Sequence, residues 1–179
     1  MSVKMQRRAR QQGFTLIEVL ISTLVLTVGL LGIAAMQMVS FQTNQSAYMR
    51  SQATFLAQDI LDRMRANQRG YRSTTVYDLI DTTNTGGIPS SPGCKDGDVG
   101  CSPAQMGVED IREWVQFFEN IEGVTGYRPV LLNGAGRVER GAGNTFTVTV
   151  SWDDRDYDTE GNLTRETVTR SVSYTADLF

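Results

Sequence analysis

The chain contains no histidine. That removes Ser-His-Asp and Cys-His catalysis, His-ligated zinc and the imidazole pH switch. Any chemistry must come from carboxylates, thiols or the backbone itself, and three places offer it. The first is the Gly13-Phe14 junction with Glu18, the one charge within FTLIEVLISTLVLTVGLLGIAAM at 14–36. An acid in so apolar a run asks for a counter-charge. The second is the pair Cys94 and Cys101, separated by six residues. In an exported head they are expected to form one disulfide, and two thiols alone cannot complete a structural zinc site. The third is DDRDYDTEGNL, with Asp153, Asp154, Asp156, Asp158 and Glu160. Asp154, Asp156 and Asp158 imitate the opening of an EF-hand loop, but Thr159 stands where Gly is needed and Arg165 where Glu is needed. A solvated hairpin tip is the better reading than a calcium site.

The element that positions Glu18 is a membrane helix. A helix over 14–36 is ~34 Å long, enough for a hydrocarbon core of ~30 Å. Thirteen of the residues from 14 to 33 are Leu, Ile, Val or Phe. They favour insertion by about 4–8 kcal/mol, and an acid near one end cancels less than the ~3 kcal/mol it would cost at the centre. Lys4, Arg7, Arg8 and Arg10 precede the span, and Arg50 alone follows within the next 15 or so positions. The positive-inside rule then predicts a cytoplasmic N-terminus and an exported head. An ordinary secretory signal has a shorter apolar run with small-residue cleavage beyond it; the small residues near 34–36 are the place where such cleavage would fall. An ordinary anchor explains the span but not Glu18, unless Glu18 merely snorkels to the headgroups.

Residues 13–18, GFTLIE, resemble the processing site of type IV prepilins and type II secretion pseudopilins. The resemblance implies cleavage after Gly13 by a prepilin peptidase, N-methylation of Phe14, and an assembly role for Glu18. Physically, cleavage on the cytoplasmic side removes the basic leader and leaves a free amine at the positive end of the helix dipole. In a helix bundle that amine is buried, and Glu18 of the same or a neighbouring chain supplies the counter-charge, about 4 kcal/mol at ~4 Å and an effective dielectric of ~20. GLLGIAAMQ, DIREW and TFTVTVSWDD are similar to segments of the PilV-type minor pilins. Fibre-forming major subunits of the family typically carry a Pro where this chain has Ala35, and usually close their disulfide nearer the C-terminus. Both departures point to a minor subunit.

The fold class expected is α+β: the type IV pilin fold, a long N-terminal helix packed on a small antiparallel sheet. The expected organisation is a cleaved leader at 1–13, a transmembrane and assembly helix at 14–40, its continuation at 41–70 and a periplasmic head at 71–179. No Pro or Gly interrupts 36–68, and Met49, Ala53, Leu56, Ile60 and Met64 fall on one helical face. Gly70 is the expected stop. Residues 71–101 read as an irregular loop. Ser102-Pro103-Ala104-Gln105 is a helix start with a capping box, and Ile111, Trp114, Val115, Phe118 and Ile121 mark its buried face up to Gly123. Phe146, Val148, Val150 and Trp152 alternate along one strand, and Val168, Val172 and Tyr174 along its hairpin partner, with Arg170 the odd member. Pro129–Asn133 and Gly136–Arg140 are two further strand candidates.

Formal charge is −3, and without the four leader cations it is −7. That argues against non-specific nucleic-acid binding. The expected function is that of a minor pilin that helps initiate pilus assembly and joins the tip, with no cofactor, metal or catalytic role. Its expected partners are other minor pilins, the major pilin, prepilin peptidase and inner-membrane lipid. The alternatives are a minor pseudopilin of a type II secretion system or a tip adhesin using the Cys94–Cys101 loop.

Overall fold

The structure, a computed structural model, describes residues 13–95, 99–157 and 163–178. The elements are α1 (Leu16–Ala66), α2 (Gln68–Ser73), β1 (Leu79–Asp81), α3 (Pro103–Val115), β2 (Ala135–Arg140), β3 (Thr145–Tyr157) and β4 (Leu163–Asp177). The chain forms two compact units, residues 1–44 and 45–179.

In the first unit the described residues are the N-terminal part of α1, and its large apolar side chains from Phe14 to Phe41 are exposed. Its polar groups are satisfied locally. The hydroxyls of Ser22, Thr23 and Thr27 donate to the carbonyls of Glu18, Val19 and Leu24 at 2.7–2.8 Å. A helix that satisfies its own polar atoms can sit in an apolar medium.

In the second unit the predicted stripe is core: Ala53, Leu56, Ile60 and Met64 are buried and Met49 packs against them. Ala57 and Leu61 widen the stripe. Gly70 does not stop the helix. Asn67 does, by capping the separate α2: its Oδ1 accepts from the Gly70 amide at 3.1 Å, and its Nδ2 donates to Tyr77 Oη and the Pro103 carbonyl. A Cβ on Gly70 would lie 2.3 Å from the Asn67 side chain, so the glycine makes room for the cap. Residues 71–101 are less irregular than expected, since they contain the end of α2, β1 and a 3-10 turn at Thr85–Gly87.

The capping box at α3 forms in full, Ser102 accepting from the Gln105 amide and the Gln105 side chain accepting from the Ser102 amide. Ile111, Trp114, Val115 and Phe118 are buried and Ile121 is half-buried. The α-helix ends at Val115 and continues only as turns, so it stops well short of Gly123. Trp114 is core: its Nε1 donates to the Leu56 carbonyl at 2.8 Å and its ring stands edge-on to Phe118.

The sheet is an antiparallel meander of order β1-β2-β3-β4. Phe146, Val148, Val150 and Trp152 are buried on its inner face. The hairpin is longer than its alternation suggested, reaching the pair Tyr157–Leu163. Asp153, Asp154 and Asp156 therefore lie in β3 rather than in a loop; Asp158 and Glu160 fall outside the described residues. Of the two earlier candidates, residues 136–140 belong to β2, whereas 129–133 form no strand. Pro129 has no amide to give a ladder, and Val130 instead donates to Phe117 in the turn after α3.

Candidate processing and assembly segment

Thr15 starts α1. Its carbonyl accepts from the amides of Glu18 and Val19, and its Oγ1 accepts from the Glu18 amide at 3.3 Å. Thr15 and Glu18 thus have capping-box spacing, a signal local to the sequence. Glu18 lies in the first turn, where the helix dipole favours an anion. Its carboxylate is exposed and makes no hydrogen bond or ion pair among the described residues. Phe14 is exposed, and a Cβ added to Gly13 would meet nothing within 4 Å. Among the described residues nothing places a steric demand on either position. Among the described residues one helix, α1, is long and apolar enough to cross a membrane; its most apolar window has a mean hydropathy of 2.4 and none of it is buried.

The second unit carries a polar tie around the disulfide. Cys94 and Cys101 are bonded with their Cα atoms 5.0 Å apart, just before the α3 cap at Ser102. Beside Cys94, Lys95 is bonded to Glu113 and lies 3.9 Å from Glu109. Ser91 donates to Glu109 at 2.6 Å. From α1, Arg63 bonds Asp59 at 2.8 Å and Glu113 at 2.5 Å and lies 3.9 Å from Asp110. Glu113 therefore joins the disulfide loop, α1 and α3. Its partial burial works against ionisation, but Lys95 and Arg63 outweigh that and hold it below the usual glutamate range. Asp110 goes the other way. Burial raises it, and this exceeds the lowering from the Tyr77 hydroxyl, which donates to it at 2.5 Å, and from Arg63. None of these residues was legible as a group, because they lie on α1, on the disulfide loop and on α3, with Arg63 and Glu113 50 positions apart.

The acidic stretch is committed to protein partners where it is described. Asp154 accepts from Ser46 and pairs with Arg170 at 3.2 Å. Asp153 accepts from Asn133 and Thr169. Arg170, the odd member of its strand, is explained by this pair. Among the described residues no group of three or more acidic or thiol ligands could hold a metal ion.

Two family models match the chain. The prokaryotic N-terminal methylation motif covers residues 8–34, and type IV pilin Tt1218 covers residues 35–112. No curated protein and no solved structure matches. The first match contains the Gly13-Phe14 junction and Glu18; the second runs from the apolar helix through the disulfide loop into α3. With a long apolar N-terminal helix and a four-stranded antiparallel sheet, the chain has the type IV pilin fold and is similar to type IV pilins over residues 8–112.

Proposed function

We propose that this chain is a minor pilin of the PilV type: a structural subunit that helps prime type IV pilus assembly and joins the pilus tip. The observation that carries the reading is Glu18. It stands alone in an exposed apolar helix, with no partner among the described residues, five positions after a glycine the fold does not require. A buried charge without a partner costs several kcal/mol, so Glu18 makes sense where a second charge reaches it, namely the amine created at Phe14 by cleavage after Gly13. On this reading residues 1–13 are the leader read by prepilin peptidase. Residues 14–40 anchor the chain in the inner membrane with its N-terminus in the cytoplasm, and the head, 71–179, is periplasmic until the subunit enters the pilus. Ala35, in place of the proline of fibre-forming subunits, supports a minor role. Deleting the chain should reduce the number of surface pili while leaving protein secretion intact. Loss of secretion with normal piliation would instead assign it to a type II secretion pseudopilus.

A further inference from the structure

The sheet has two edges of very different character. β1 is three residues long, while β4 runs for fifteen. Natural sheets blunt long edges with Pro, Lys or bulges, because a free edge recruits another strand. Residues 167–177, TVTRSVSYTAD, have no Pro and no Lys, and no register shift occurs opposite them. Their one cation, Arg170, is paired with Asp154. Over these residues the edge lacks the usual guards against strand addition.

Backbone direction says how. The Leu178 amide donates to the Asn144 carbonyl, in the same register as the β3–β4 ladder. Even positions of β4 therefore bond β3, and the amides and carbonyls of Thr167, Thr169, Ser171, Ser173 and Thr175 point to the open edge. On β1 the even positions face β2, as the bonds Thr82 to Gly136 and Arg140 to the Asp78 carbonyl show. Leu79 and the Asp81 amide therefore face outward. In a four-stranded antiparallel meander β1 runs antiparallel to β4. A second copy set beside the first without inversion thus presents its β1 antiparallel to the first copy's β4.

The side chains agree. Beside β1 lies a groove of about 330 Å³ lined by Val76, Ile80, Ile88, Pro89 and Ile111. On the inner face of β4, Val168 and Tyr174 remain 37% and 36% exposed, and Val172 is half-buried. Inner-face residues of a strand added to β1 fall on the side of Ile80, where the groove is. The outward-facing positions of β4, all Ser or Thr from 167 to 175, bring no charge against Leu79 or Asp81.

We infer that β4 of one copy adds to β1 of the next, continuing the sheet between heads of the same orientation and seating Val172 and Tyr174 against the β1 groove. This rests on the pilin reading, which requires every α1 to be anchored in the same direction. The contact is heterologous, so a pair of copies keeps one free β1 and one free β4, edges that further subunits of a priming complex can cover.

The test uses the full chain in the membranes of cells that make it. Copies carrying Leu79→Cys are co-expressed with copies carrying Ser173→Cys and treated with a short bis-maleimide. The inference expects a cross-linked dimer in the mixture, absent from either variant alone and absent when Val124→Cys, on the loop after α3, replaces Leu79→Cys. Ser171→Pro, added to the Ser173→Cys copy, removes one outward amide and no bond to β3. It should abolish the dimer without lowering the melting temperature, and Ser171→Ala should retain it. No dimer above the Val124→Cys control, or a dimer indifferent to Ser171→Pro, overturns the inference; dimers from Ser173→Cys alone would mean that β4 pairs with β4 instead. The N-terminal mass of the same samples keeps the two claims apart. A chain processed at Phe14 that gives no dimer refutes the sheet contact alone, and an unprocessed chain refutes the pilin reading.

Discussion

At the scale of single residues, opposite environments separate Glu18 from the acids of the head. Glu18 has apolar neighbours and no partner among the described residues, so its effect should appear only on assembly. Glu18→Ala is expected to insert and to be cleaved, because removing an acid eases insertion and leaves the Gly13-Phe14 junction intact. The processed variant should accumulate in the membrane and be scarce in sheared pili, as expected when a buried amine loses a counter-charge worth several kcal/mol. Immunoblots of the membrane and sheared fractions measure this; wild-type amounts in pili would mean that Glu18 only snorkels. In the head, Glu113 and Asp110 titrate with opposite signs. Glu113 is depressed in the folded state, so its stabilisation is present above its unfolded pKa and is lost as pH falls through the folded value. Asp110 is raised, so its contribution is present below its unfolded pKa and is lost as pH rises through the folded value. Lys95→Met removes one of the two cations on Glu113 and should cost about 0.5–1 kcal/mol near neutral pH for a largely exposed pair. The loss should shrink as the pH drops below the carboxylate range. Melting curves from pH 3 to 8 on both proteins check this, and a pH-independent difference would contradict it.

Among the elements, α3 and β2 meet through a glycine. A Cβ on Gly136 would lie 2.3 Å from the Trp114 ring, which is fully buried and tied to the Leu56 carbonyl. Gly136→Ala should cost about 1–3 kcal/mol through overpacking, read as a lower melting temperature with processing unchanged. A neutral result would mean that Trp114 can shift. The contact also shows what the sequence could and could not reveal. Periodicity exposed the buried stripe of α1, the α3 cap and the alternating hairpin, since each is a local pattern. It could not distinguish residues 129–133 from a strand until Val130 was seen bonded to Phe117. It also missed β1, whose three residues are too short a run to show a period and pair with β2 far along the chain, Ile80 opposite Val138. Thr15 as the helix cap was legible, because the T-x-x-E spacing is local. The union of Arg63, Lys95 and Glu113 was not, because ion pairs between elements leave no local period.

For the molecule as a whole, the central claim is that residues 1–13 are removed and that the chain works from Phe14 onward. The fold supports this indirectly: Gly13 is sterically unconstrained, Phe14 is exposed, and the helix cap is Thr15, which cleavage after Gly13 leaves in place. The processed chain would therefore keep α1 intact and carry its new amine one residue before the cap. Mass spectrometry of the protein purified from membranes tests this most directly. The predicted N-terminus is Phe14 with one added methyl group; a mature chain beginning near residue 36, or one retaining residues 1–13, would contradict it.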